Sequence, residues 1–270
     1  MTAAPAGGHL SGRGQRLAGM VALVTGAGSR GDLPGTGAAT AALFAAQGAV
    51  VGVLDSDADR AHATCARIEG EGGTAIPLIA DLTEKSEVDA AVDLLAQRAG
   101  HLDIVVNNAG IATADWDTVF AVNATGTMLV SEAAYPHLKR AGGGSIINVS
   151  SIVAMRGFGV LGQGAYAASK GAVQSLTVDR AAAWGADGIR VNCLVPGHLN
   201  TPIGSSGGAG GRELRRKANL LGTEGDAWDL AWAALFLASP ESRWITATIL
   251  PVDAGTTAAT GLGMFNRMNS

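Results

Sequence analysis

Short runs of apolar, β-branched residues alternate along this chain with longer Ala-rich stretches whose apolar positions recur at helical spacing. The runs at 21–25, 50–55, 75–81, 104–110, 145–151, 189–195 and 246–253 predict strands. The stretches at 35–48, 57–72, 84–99, about 115–140, about 164–185 and 224–238 predict helices. Gly48 is placed to end the first helix, and Pro77 confines the third strand to an edge or an irregular position. Each helix is long enough for a crossover, so the strands form a parallel sheet covered on both faces, an α/β doubly wound architecture. The Gly/Ser run at 204–211 is too short to divide the chain and reads as a mobile loop. One domain over 17–270 follows, behind a flexible Gly/Ala-rich tail at 1–16.

Composition narrows the function. Of 270 residues, 47% are apolar and 16% charged, which excludes general disorder. The net charge is −4, with no basic block beyond Arg212, Arg215, Arg216 and Lys217, so nucleic acid is not the expected partner. Cys65 and Cys193 can form no framework of bridges and no zinc cluster. No run has the length of a membrane span, and the first 16 residues lack the apolar core of a signal peptide. The expectation is a soluble cytoplasmic protein with no metal and no membrane partner.

The first loop, TGAGSRGDLPGTG at 25–37, follows a strand and opens a helix. Its glycines Gly26, Gly28, Gly35 and Gly37, with Thr36, would let backbone N–H groups approach a pyrophosphate at a helix N-terminus. Asp55 ends the second strand 18 residues after Gly37. A carboxylate there accepts hydrogen bonds from a ribose 2′-OH and repels a 2′-phosphate, favouring NAD. Asp55 also suits a helix cap, and Arg30 could attract a 2′-phosphate, which leaves NADP open. The loop lacks the G-K-[ST] of an ATPase.

Tyr166 and Lys170 stand four apart in AYAASKGAV, on one helix face. A tyrosine is a poor base at neutral pH. Making it one requires roughly 4 kcal/mol, which an adjacent ammonium would largely supply. Ser150 and Ser151 end a strand upstream, where sheets of this type bind ligands.

With these residues in place, the chain resembles the short-chain dehydrogenase/reductase family over about residues 19–256. Six landmarks stand in the family's order: the TG…GTG loop, Asp81–Leu82, NNAG at 107–110, Asn123 in VNATG, the INVSS…YAASK pair, and PGHLNT at 196–201. The resemblance implies a Rossmann-like sheet of about seven strands and hydride transfer between a secondary alcohol or ketone and a nicotinamide cofactor. It implies Tyr166 as general acid/base, with Lys170 lowering its pKa and holding the nicotinamide ribose. It also implies Ser151 bonding the substrate oxygen and Asn123 holding a water that continues the proton relay. Asp81 and Leu82 would meet the adenine, Asn107 the adenosine ribose, and Leu199 (through its backbone) and Thr201 the carboxamide. The family also implies a homotetramer, here through the helices at 115–140 and 164–185 with Ala165, Ala167, Ala168 and Ala172 at the contact.

The chain departs from the family in three places. About five extra residues lengthen the glycine loop within RGDLP. The interval from Ser151 to Tyr166 is longer by about two, which bears on the choice of Ser151 over Ser150. NNAG runs almost at once into DWDTVFAVN, omitting roughly ten residues of pocket wall. The last departure predicts an open site for bulky substrates, with GVLGQG at 159–164 or the tail carrying Met264 and Phe265 as its cover. His198 reads as a rim residue, and Trp184, Trp228, Trp232 and Trp244 as core or interface. The alternative function is a dinucleotide-binding sensor or scaffold without turnover, against which the Ser–Tyr–Lys–Asn set argues. A lyase or isomerase using its nicotinamide internally suits a chain this short less well.

Overall fold

The first strand, β1 (Val21–Thr25), is wholly buried, and its side chains divide between two separate cores. This strand seeds the architecture of the computed structural model, which describes residues 15–28, 33–157, 164–202 and 208–259. After β1 come α1 (Thr36–Ala46), β2 (Val50–Asp55), α2 (Ala58–Gly70), β3 (Thr74–Ile79), α3 (Lys85–Ala99) and β4 (Ile104–Asn107). Next are α4 (Trp116–Phe120), a π-turn (Ala121–Thr125), α5 (Gly126–Arg140), β5 (Gly144–Val149), α6 (Gly164–Trp184) and β6 (Ile189–Pro196). The chain continues with β7 (Leu199–Asn200), α7 (Gly208–Lys217), β8 (Gly225–Asp226), α8 (Ala227–Ala238) and β9 (Ile249–Val252).

Seven strands form one parallel sheet in the order β3-β2-β1-β4-β5-β6-β9. Strand alternation decides which core each residue enters. Ala22 and Val24 of β1 pack with Leu43, Phe44, Ala231 and Leu235 of α1 and α8. Val21 and Leu23 pack with Val88, Val92, Leu95, Val130 and Leu138 of α3 and α5. Each fully buried Leu or Phe contributes about 1.5–3 kcal/mol, so two such layers hold the sheet between its helices. Pro77 lies on β3, at the edge of the sheet, where its missing N–H leaves no ladder bond unmade. The chain order reverses between β1 and β4, which opens a crevice at the carboxyl ends of those two strands.

Several sequence expectations change. The helix expected at 115–140 is broken by the π-turn, because Asn123 bonds the Ile111 backbone and draws that turn out of regular register. The loop expected at 204–211 gives way at Gly208 to α7. There Arg212 and Arg215 both reach Glu224, and these ion pairs outweigh the poor helix propensity of glycine. The last strand is only Ile249–Val252, since Ala247 adopts a left-handed φ of 59° that ends extended pairing. The two-residue ladder of β7 with β8 was not expected. Arg16, assigned to the flexible tail, instead makes a bidentate pair with Glu241 at 2.6 and 2.7 Å. The rest of that tail (1–14), Arg30, Asp32, residues 159–163 and the segment with Met264 and Phe265 lie outside the described residues.

Candidate active site

The crevice is built first from backbone. Gly26 turns the chain after β1 with φ 60°, and Gly35 leads into the N-terminus of α1 at Thr36. A Cβ on Gly37 would stand 2.3 Å from the Gly26 carbonyl oxygen, so only glycine lets α1 start this close to the turn. Thr25 Oγ1 accepts the backbone N–H groups of Asn108 and Ala109 at 3.1 Å each, joining the ends of β1 and β4. Asn108 completes the joint by donating to the Thr25 and Gly26 carbonyls and accepting from Thr36 Oγ1 at 2.7 Å. Gly26, Gly28, Gly35, Thr36, Gly37, Asp55, Asp81, Leu82, Asn108, Gly110, Ile111 and Thr201 are all among the walls of the resulting cleft.

Asp55 reaches that cleft from the end of β2. One carboxylate oxygen accepts the Gly28 N–H at 2.9 Å and the other the Asp57 N–H at 3.1 Å. The helix-cap role open to Asp55 falls to Asp57, whose side chain accepts from Arg60 N. Asp81 accepts from the backbone and hydroxyl of Thr83, and Leu82 is buried against Gly126.

The chemical groups gather at the ends of β4 and β5. Ser150 is committed elsewhere: its hydroxyl donates to the Lys170 carbonyl at 2.7 Å and accepts from Gln174 at 3.0 Å. Ser151 Oγ accepts from Val153 N at 3.4 Å, and its hydroxyl is also engaged in hydrogen bonding with the Tyr166 phenol. That bond draws the phenol pKa down, but burial outweighs it and holds Tyr166 above its ordinary value near 10. The direction is opposite to the one expected from a neighbouring ammonium. The reason is where Lys170 points: its Nζ donates to the Val149 carbonyl at 2.8 Å and lies 5.9 Å from the Tyr166 ring centre. Burial brings the Lys170 pKa down to about 8.

Asn123, wholly buried, is locked by three bonds of its amide. Its Oδ1 accepts Ile111 N at 2.8 Å, and its Nδ2 donates to Ile111 O at 2.9 Å and Ser169 Oγ at 3.0 Å. Asn123 Oδ1 and Lys170 Nζ both press on Gly110, 3.3 and 3.1 Å from the place a Cβ would occupy there.

Four residues expected at the cofactor, Asn107, Tyr166, Lys170 and Leu199, are not in the cleft wall. Asn107 turns into the protein, where its Nδ2 donates to Ser131 and Asn148 at 2.8 Å each. Asn108, one position on, faces the cleft instead. Leu199 is buried in β7, with its N–H on the Gly197 carbonyl. Asn108, Gly110 and Ile111 are wall residues not assigned from sequence, although NNAG already contains the first two.

Comparison with known proteins gives a consistent picture. A family model described as enoyl-(acyl carrier protein) reductase matches residues 32–257. An uncharacterized short-chain type dehydrogenase/reductase of Sinorhizobium fredii is 38% identical over 252 residues, covering 88% of this chain and 98% of that one. A 2,5-dichloro-2,5-cyclohexadiene-1,4-diol dehydrogenase of Sphingobium indicum is 37% identical over 249 residues, covering 89% and 97%. Among solved structures, a gluconate 5-dehydrogenase from Burkholderia cenocepacia in complex with NADP and tartrate superposes with TM-score 0.83 at 33% identity, covering 92% and 99%.

Proposed function

The chain belongs to the short-chain dehydrogenase/reductase family of oxidoreductases, and from that premise we propose that it interconverts a secondary alcohol and a ketone with NAD. The observation that carries this reading is the meeting of Ser151, Tyr166, Lys170 and Asn123 beside a glycine-lined cleft. The residues present fit a nicotinamide dinucleotide. Backbone approaches closely where Gly28 and Gly37 leave no room for a Cβ, and α1 opens its N-terminus into the cleft. A bound nicotinamide supplies the hydride or takes it up. Ser151 gives its hydroxyl hydrogen bond to the substrate oxygen in place of Tyr166. A phenol held above its ordinary pKa is protonated at neutral pH, so Tyr166 is ready to donate to a carbonyl oxygen in the direction of reduction. Lys170 and Asn123 would continue the route for its proton.

Asp55 supports NAD over NADP, because its carboxylate lies in the cleft wall where a 2′-phosphate would meet it. The short connection from Ile111 to the Asp115 cap of α4 supports a site open to bulky substrates. Exposed Trp116 and Val178, on α4 and α6, support a homotetramer through those helices, although Ala165 is buried within its own chain. No helix among the described residues is long and apolar enough to cross a membrane. Both cysteines are free and buried, which supports a cytoplasmic setting. The test is a panel of small and bulky secondary alcohols and ketones with NAD(H) and NADP(H), followed at the absorbance of reduced nicotinamide. No turnover across the panel, despite cofactor binding, would favour a sensor.

A further inference from the structure

Tyr166 and Lys170 sit on α6, whereas Asn123 sits on the π-turn before α5, so something must fix the two elements against each other. One buried hydroxyl spans them. Ser169, with no exposed surface, donates to the Tyr166 carbonyl at 2.8 Å and accepts from Asn123 Nδ2 at 3.0 Å. A helical serine commonly bonds back to a carbonyl of the preceding turn, and that alone is local structure. What sets Ser169 apart is its second bond, to an amide 46 positions away in sequence.

We infer that Ser169 is a positioning residue, holding the Asn123 amide and through it the Gly110–Ile111 backbone against the Tyr166–Lys170 turn. The inference rests on the assignment of Tyr166 and Lys170 to the chemistry. The Asn123 amide has three partners, two of them the N–H and carbonyl of Ile111. Ser169 is the third and ties that loop to α6. Gly110 packs against both the Asn123 amide oxygen and the Lys170 ammonium, 3.3 and 3.1 Å from its Cβ position. A shift of Asn123 therefore moves the floor on which Lys170 rests. Packing this close carries small displacements into the site, where errors of about 1 Å cost up to about a hundredfold in rate.

The test compares Ser169→Ala, Asn123→Ala and the double variant by two readouts. In turnover, Ser169→Ala is expected to lower kcat roughly ten- to a hundredfold, more than it changes the cofactor dissociation constant. The double variant should be no slower than Asn123→Ala alone, since both act through one amide. Ser169→Thr, which keeps the hydroxyl, should recover most of the rate. In hydrogen exchange, which needs no substrate, the Ile111 amide should exchange faster in Ser169→Ala than in the wild type. Penalties that multiply in the double variant, or an unchanged Ile111 amide, would overturn the inference. If the wild type turns over no carbonyl while Ile111 still loosens, the oxidoreductase reading falls and the positioning stands. Should Ser169→Ala not fold, Ser169→Cys, of similar size but a weak donor, carries the same readouts.

Discussion

Lys170 donates its ammonium to the carbonyl of Val149 at 2.8 Å, so the last residue of β5 holds the cation we propose for the chemistry. The strand end thus sets where the positive charge stands, and burial sets how readily it is lost. Lys170 titrates near pH 8 in the folded protein and near 10.4 in an unfolded chain. Between these values the unfolded chain binds the additional proton, so this group's contribution to stability rises with pH across that window. Wild type should gain about 2 kcal/mol over Lys170→Met between pH 8 and pH 10 in urea unfolding. A constant difference would show that Lys170 keeps its charge when folded.

Tyr166→Phe removes one oxygen and leaves the ring. We expect kcat to fall by about 10²–10⁴ while the cofactor dissociation constant, from fluorescence titration, stays within a few-fold. Loss of binding together with turnover would make Tyr166 structural.

Asp55→Ala takes away an acceptor in the cleft and a repulsion of the 2′-phosphate. The NAD to NADP ratio of kcat/KM should drop by about tenfold or more, the scale of one hydrogen bond to a charged group. If the wild type already prefers NADPH, a cation governs the choice over Asp55 and the NAD assignment is wrong.

The glycine loop offers a matched pair. Gly37→Ala would push a methyl to 2.3 Å from the Gly26 carbonyl oxygen and 2.5 Å from Asn108 Nδ2. It should cost about 1–3 kcal/mol and abolish cofactor binding. Gly35→Ala meets no protein atom within 4 Å and should cost only roughly 0.5 kcal/mol at the helix cap. Equal effects in thermal melts and titrations would contradict the close approach at Gly37.

Ala254 adopts a left-handed φ of 52°, with its carbonyl accepting Leu220 N at 2.9 Å. Relief of about 1–2 kcal/mol of strain, less the entropy that glycine adds to the unfolded chain, should leave Ala254→Gly stabilised by about 0.5–1 kcal/mol. A lower urea midpoint would show that the turn holds no strain.

Much of this molecule was legible in its sequence. The strands through the sheet centre are buried on both faces, which makes them continuous apolar runs that periodicity detects. The Tyr166–Lys170 pair was legible because a spacing of four fixes one helix face. Sequence could not show how Ser150 and Ser151 differ: in the structure Ser150 is bound to the Lys170 carbonyl. Asn107 and Asn108 were not separable: neighbours at a strand end point to opposite faces, and the sequence does not say which face opens onto the cleft.

The sequence by itself determined the order of elements, the doubly wound sheet and the residues able to do chemistry, because these follow from local spacing and from which side chains avoid water. Tertiary structure decided the rest. The π-turn holds Asn123 where it bonds Ile111, and α7 is tied to the following loop where Arg212 and Arg215 share Glu224. The Tyr166 phenol is raised rather than lowered because burial acts on it while Lys170 is drawn to Val149. Each depends on groups distant in sequence, whose distances and burial are fixed only once the chain has closed on itself.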